Sequence, residues 1–279
     1  MKLSILLVTY NQEEYIRECL HGILMQQTPF DHEIVVADDH SSDATRSIIA
    51  GMLVKSGLIY TILPSSRNLG MRKNYKRGYA ACKGEYIAVI EGDDYWTDPA
   101  RLEKHVTFLD AHRECMMSFN RIIAFNQETR RFHLKDWTLS DDFEYITSSQ
   151  LAMGNRIGNL SACVFRKTAI EKLPSDLFEM GAADWLMGLA IGEFGLLGKL
   201  KEPMSVYRVH NKGLWSGKSQ RDKNKKMIGR IDELNEYFEF RFDKEFSYLK
   251  RMKVLMKYNV PKSLASYLAK ILLKVFTIF

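Results

Sequence analysis

The stretch Tyr86-Ile-Ala-Val-Ile-Glu91-Gly92-Asp93-Asp94-Tyr95-Trp96 decides the fold of this chain. Ile87, Ala88, Val89 and Ile90 form an unbroken apolar run of strand length, the pattern of a strand buried on both faces. Strands of that kind belong to parallel sheets, and in open α/β sheets ligands bind just beyond their carboxyl ends. The run ends on three carboxylates in four positions, Glu91, Asp93 and Asp94, whose mutual repulsion is costly unless a cation or an array of donors offsets it. Hard oxygen donors suit Mg²⁺ or Mn²⁺ and leave positions open for substrate phosphates. A solvated acidic turn is the plainer alternative.

Toward the N-terminus, strand and helix signals alternate. Leu3 to Val8 reads as a strand, and Glu13 to Gln26 carries Tyr15, Ile16, Leu20, Ile23 and Leu24 at helical spacing. His32 to Ala37 is a second strand, Asp43 to Leu53 a second helix, Leu58 to Leu63 a third strand and Asn74 to Cys82 a third helix, which Gly84 ends. Repeated βαβ units predict a mostly parallel α/β sheet covered by helices on both faces.

Three strand ends carry polar clusters that such a sheet sets side by side: Thr9-Tyr10-Asn11, then Asp38 to Asp43, then the acidic stretch. Tyr10 is suited to stack on a base and Asp39 to accept from a ring N–H, so the pair can hold a uracil or similar pyrimidine. Between Arg67 and Arg77 lie five cations around a turn at Gly70, among them Arg67, Arg72 and Lys73, and cations beside a helix start suit a pyrophosphate. Each piece alone also reads as a helix cap, a turn or a solvated face. Their order along the chain joins them into one site.

These stretches carry a resemblance. Ser4-Ile-Leu-Leu-Val-Thr-Tyr-Asn-Gln-Glu-Glu-Tyr-Ile, Glu33-Ile-Val-Val-Ala-Asp-Asp-His-Ser-Ser-Asp-Ala-Thr, Asn68-Leu-Gly and Gly84-Glu-Tyr-Ile-Ala-Val-Ile-Glu-Gly-Asp-Asp-Tyr-Trp resemble, in order, the landmarks of family 2 glycosyltransferases with a GT-A fold. The resemblance is close over the first 110 residues or so and looser to about residue 215. It implies sugar transfer from a nucleotide-diphosphate sugar, a UDP-sugar first, with inversion at the anomeric carbon and a bound Mn²⁺ or Mg²⁺. It implies that Thr9, Tyr10, Asn11 and Asp39 border the nucleotide, and that Asp93 and Asp94 belong to the metal-binding acidic motif. Glu91 stands where the family usually has Asp, and its longer arm can reach either metal or ribose.

The second half offers the rest of the chemistry. An inverting transfer needs one general base, and Asp184 opens the apolar helical run Trp185 to Ala190 in a segment that resembles the family's base-bearing one. The same position suits a helix N-cap. Downstream, Pro203 to Ser216 resembles the family's closing strand and loop, which makes His210 a candidate third metal ligand beside its plainer role as a loop histidine. Arg208 pairs either with phosphate or with an internal carboxylate. Trp185, Trp215 and Arg208 are candidates for contact with donor or acceptor sugar, and Asn155 to Arg166 reads as a strand leading toward Asp184.

Composition sets the remaining bounds. The 279 residues, 46% hydrophobic and 11% aromatic, suffice for a sizeable core. The formal charge of +6 and pI near 9.0 suit a phosphate-bearing ligand or an anionic membrane. Nucleic acid is disfavoured, because the cations gather at the phosphate loop and the tail without an aromatic RNA motif. Cys19, Cys82, Cys115 and Cys163 lie far apart with no CxxC pairing, which argues against zinc or a disulfide framework and fits a reducing compartment. The expected division is 1–115 as nucleotide-sugar half, 116–215 as acceptor and base half of the same domain, and 216–279 as a basic helical extension. Its final segment, Ser263 to Phe279, is amphipathic, too short and too charged to span a bilayer, and suited to an anionic membrane or to a protein surface, including a homodimer. The expectation is a cytoplasmic enzyme, peripheral on the inner face of the plasma membrane, acting on a glycan or lipid-linked acceptor in surface polysaccharide or lipopolysaccharide assembly. The alternatives are a noncatalytic sugar-nucleotide-binding subunit and a nucleotidyltransferase, the latter weakened by Thr-Tyr-Asn in place of a Gly-rich basic loop after the first strand.

Overall fold

The computed structural model describes residues 1–134, 142–180, 184–213, 219–258 and 260–276. In chain order the elements are β1 (Leu3–Thr9), α1 (Ile16–Leu24), β2 (His32–Asp38), α2 (Thr45–Leu53), β3 (Ile59–Ile62), α3 (Met71–Ala81), β4 (Tyr86–Glu91) and β5 (Tyr95–Trp96). There follow α4 (Arg101–Ala111), β6 (Cys115–Asn126), β7 (Arg131–His133), β8 (Phe143–Ile146), α5 (Ser148–Ala152), β9 (Cys163–Arg166) and α6 (Lys167–Glu171). The last are α7 (Asp184–Ile191), β10 (Leu196–Val209), α8 (Gln220–Tyr237), α9 (Asp243–Lys257) and α10 (Lys262–Phe276).

The chain forms two compact units, one of residues 1–147 with 157–208, the other of 148–156 with 209–279. In the first, the strands run β3-β2-β1-β4-β9-β6-β10-β5, with β7 beside β6 and β8 beside β10. β1 pairs in parallel with both β2 and β4, and β2 with β3, as the βαβ rhythm predicts; β9 enters antiparallel between β4 and β6. Every residue of β1 and five of six in β4 are buried, which is why these strands read as continuous apolar runs.

Parallel register puts Thr9 opposite Asp38 and Val8 opposite Glu91, so the three polar strand ends emerge at one edge. Gly92 makes the approach close. A Cβ there would lie 2.4 Å from Gln12 Oε1 and 2.7 Å from Thr9 Oγ1, a space that only a hydrogen can fill.

The expected strand over Asn155 to Arg166 is shorter than the sequence suggested. Only Cys163–Arg166 is extended, preceded by a 3₁₀ turn at Leu160–Ala162. Gly154 and Gly158 have φ of 155° and 99°, which turn the chain before the strand begins. The side chains of Asn159 and Ser161 are committed elsewhere, as described below.

The second unit is helical. Ile231, Leu234, Phe238, Phe242, Phe246, Leu249 and Met252 are buried, with edge-to-face contacts from Phe238 to Phe242 and from Phe242 to Phe246. Ser219 caps α8 through its hydroxyl to the Asp222 N–H.

Candidate active site

Glu91, Asp93 and Asp94 each offer a carboxylate oxygen within 4.8 Å of the others, the one such cluster among the described residues. Asp94 is the fixed member, 1% exposed. Its Oδ2 accepts from Asn159 Nδ2 and from Ser161 Oγ, both at 2.6 Å, and its Oδ1 accepts from the Arg208 N–H at 2.9 Å. Ser161 Oγ in turn accepts from the Glu91 N–H at 3.1 Å, so one hydroxyl ties both ends of the acidic turn. Glu91 Oε1 accepts from the buried Tyr75 hydroxyl at 2.6 Å.

Electrostatics show how crowded this turn is. Burial and then the charge of Asp93 push the Glu91 carboxyl up to about 7. Asp94 is also raised well above the ordinary range, first by burial and then by Asp93 and Glu91, in spite of its three donors. A divalent cation would relieve this repulsion. The donors present fit one: all are hard oxygens, Asp93 is half-buried, and Asp94 Oδ1 accepts one hydrogen bond among the described residues, which leaves it a second lone pair. Asp184 opens α7, half-buried, and its charge contributes to the upward shift of Glu91, which places it in the same electrostatic basin.

Arg208 resolves toward the internal carboxylate. Its side chain is 4% exposed, its Nη2 bonds Glu18, its Nη1 donates to Gln127 Oε1 at 2.7 Å, and its Nε donates to the Asp93 carbonyl at 2.9 Å. The rings of Tyr15, Tyr95 and Phe125 surround it at 5.0, 5.3 and 5.6 Å. The residue therefore braces the acidic turn, and is not open to a sugar as the sequence also allowed. Trp185 is likewise buried, at 4% exposure, in a packing position and not as an open platform for a sugar. His210 is buried in the second unit, and Trp215 lies outside the described residues.

The nucleotide end is stitched from two loops. Asn11, in the left-handed region at φ 50°, donates its N–H to Ser41 Oγ and accepts the Ser42 N–H at 2.8 Å through its side chain. Thr9 is buried and its hydroxyl meets Gln12, while Tyr10 is 47% exposed and available for stacking. Asp39 does something the sequence did not disclose. Only 3% exposed, it accepts the N–H groups of Leu69 and Gly70 at 2.8 and 2.9 Å, so the residue read as a base acceptor first anchors the Asn68–Gly70 turn ahead of α3. Arg67, Arg72 and Lys73 are exposed, and Arg72 also bonds the Glu179 carbonyl. Arg77 instead holds the carbonyls of Pro64 and Asp38, both at 2.6 Å.

Tyr75, Asn159 and Ser161 were missed from the sequence. The available signal was weak: two polar residues at alternate positions, Asn159 and Ser161, inside an otherwise apolar run.

The glycosyl transferase family 2 model matches residues 4–174, and the chain belongs to that family. An uncharacterized protein of Mycobacterium tuberculosis is 33% identical over 216 residues, 76% of this chain and 60% of that protein. The chain thus spans about three fifths of the length of that relative. The amylovoran biosynthesis glycosyltransferase AmsE of Erwinia amylovora is 26% identical over 69% of this chain and 70% of its own. In structure, Staphylococcus aureus TarS 1-349 in complex with UDP-GlcNAc matches with a TM-score of 0.66 at 20% identity, over 92% of this chain and 73% of that one. The mannosyltransferase PcManGT of Pyrobaculum calidifontis, in complex with GDP-Man and Mn²⁺, gives 0.63 at 16% identity, over 97% and 73%. Both structures share the fold, which is the expected GT-A arrangement.

Proposed function

We propose that this chain is a metal-dependent, inverting glycosyltransferase that moves a sugar from a nucleotide-diphosphate sugar, a UDP-sugar first, to a glycan or lipid-linked acceptor of a cell-surface polymer. The observation that carries the reading is the Glu91, Asp93 and Asp94 cluster within 4.8 Å, held by Asn159, Ser161 and Arg208 at the ends of parallel strands. The sugar nucleotides named for TarS and PcManGT, and the polymer named for AmsE, support it by likeness.

Asp93 and Asp94 would hold Mn²⁺ or Mg²⁺, which supplies charge stabilisation at the leaving diphosphate. Tyr10 stacks on the base, Asp39 fixes the loop beside it, and Glu91 reaches the ribose or the metal. Arg67, Arg72 and Lys73 offset phosphate charge. Asp184 accepts the proton of the acceptor hydroxyl as that oxygen bonds the anomeric carbon and the bond from that carbon to the diphosphate breaks. The part given to His210 as a further ligand rests on the family resemblance alone, and so does inversion.

The test is calorimetric titration with UDP, GDP, dTDP and CDP, each with Mn²⁺ and with EDTA, on the native chain and on Asp93→Asn. Asp93 is the better target because Asp94 supports three buried donors whose loss would damage the fold. Metal-dependent binding of one nucleotide, lost in the variant, is the expected result. Absence of binding to all four would leave the site as a structural turn or a noncatalytic relic.

A further inference from the structure

The last 34 residues of this chain carry cations without any acid to balance them. Residues 246–279 contain seven cations, Lys250, Arg251, Lys253, Lys257, Lys262, Lys270 and Lys274, and no Asp or Glu, so the formal +6 arises wholly there and the rest of the chain is close to neutral. α9 and α10 lie in this region and are joined by a hydrogen bond of 2.7 Å between the Tyr248 hydroxyl and Ser266 Oγ. α10 buries Ala265 and Ala269 completely. On its other side Leu264, Tyr267 and Ile271 are 48%, 63% and 40% exposed, at the i, i+3, i+7 spacing of a single stripe. Lys270 is exposed next to that stripe, and Val254 and Tyr258 of the α9 end are exposed as well.

We propose that this stripe of α10, with the cations around it, docks on an anionic lipid bilayer, the helix lying in the plane of the interface. An exposed apolar stripe bordered by lysines matches the two layers of such a surface, acyl chains below and anionic headgroups at the rim. A second copy of the chain, meeting the first through the same segment, is the poorer occupant, because residues 246–279 would face seven like charges and no acid of their own kind. Nucleic acid would answer the cations and leave Leu264 and Ile271 without a partner. Spanning is not an option for this helix: among the described residues none is long and apolar enough to cross a membrane. Lys250 pairs with Asp232 at 2.6 Å, so the test uses Lys262 and Lys270 of α10 instead.

The experiment is flotation of the full chain with vesicles of phosphatidylcholine alone and of phosphatidylcholine containing about one third phosphatidylglycerol, at roughly 0.1 M salt. The expected result is binding to the anionic vesicles only, weakened at least tenfold near 0.5 M salt. Lys262→Gln with Lys270→Gln lowers anionic binding roughly 25-fold, about fivefold for each charge removed. Leu264→Ser, Tyr267→Ser and Ile271→Ser together lower it roughly tenfold or more; these side chains are already exposed, so an unchanged circular dichroism spectrum is expected. No binding to anionic vesicles, equal binding to both kinds, or anionic binding that ignores the triple replacement each overturns the proposal. So does tighter binding to an oligonucleotide that ignores it, or sedimentation showing a dimer that the triple replacement dissolves. No sugar donor enters these measurements, so they stand or fall apart from the transferase reading.

Discussion

Ser161→Ala probes how the acidic turn is held. The hydroxyl is fully buried, donates to Asp94 Oδ2 at 2.6 Å and accepts the Glu91 N–H at 3.1 Å. A hydrogen bond to a charged group is worth about 1.5–3 kcal/mol, and a buried N–H left without an acceptor loses about 1–3 kcal/mol more. Allowing for relaxation into the small space vacated, the variant should unfold with about 3 kcal/mol less free energy than the native chain, read by urea denaturation with an unchanged slope. Asn159 donates to the same oxygen, so Ser161→Ala and Asn159→Ala should depart from additivity by about 0.5–3 kcal/mol in a double-mutant cycle. In the same preparations, metal-dependent nucleotide binding should weaken while metal-independent binding changes little, because Tyr10 and the Asn68–Gly70 loop are untouched. A loss below about 0.5 kcal/mol together with strict additivity would refute the reasoning, since it would mean that Asp94 is placed by the backbone and not by this pair of side chains.

Two further outcomes are expected. Asp184→Asn should leave donor titration intact while sugar transfer drops about 10²-fold or more; unchanged turnover removes it as the base. His105 is fully buried between Ser118 Oγ and Asn120 Oδ1, and burial, then the nearby Arg101, hold its pKa well below the usual value. The unfolded chain therefore binds the extra proton first, so stability should fall as pH drops below about 6.5, by about 1.4 kcal/mol per unit from this residue, and His105→Gln should flatten that slope in urea unfolding at a series of pH values.

Much of the site was legible because its residues cluster at strand ends. A buried parallel strand must be a continuous apolar run, so β1, β2 and β4 announce themselves, and the polar residues where each run stops are then the ligand edge. That logic located Thr9 to Asn11, Asp39 and the three carboxylates without any coordinates. It stops short where a residue's role depends on a partner far away in the chain. Asp39 was read from its type as a base acceptor, and its proximity to the Leu69 and Gly70 amides comes from how α3 enters the sheet. For Arg208 the sequence leaves phosphate and an internal carboxylate both open; Glu18 and Gln127, 190 and 81 positions away, decide for the protein's own groups.

Asn155 to Arg166 marks the limit of pattern reading. Its passage from polar to apolar residues favours a strand, but Asn159 and Ser161 turn their polar atoms onto a buried carboxylate instead of extending a ladder, and the local pattern gives way. Sequence by itself determined the α/β class, the ordering of βαβ units, the acidic turn and the concentration of positive charge in residues 246–279, because these depend on periodicity and on residue type. Tertiary structure alone decided which donors hold Asp94, which cation is internal and which apolar stripe of α10 is exposed. Such choices depend on burial, and burial is fixed only when segments far apart in sequence have packed together.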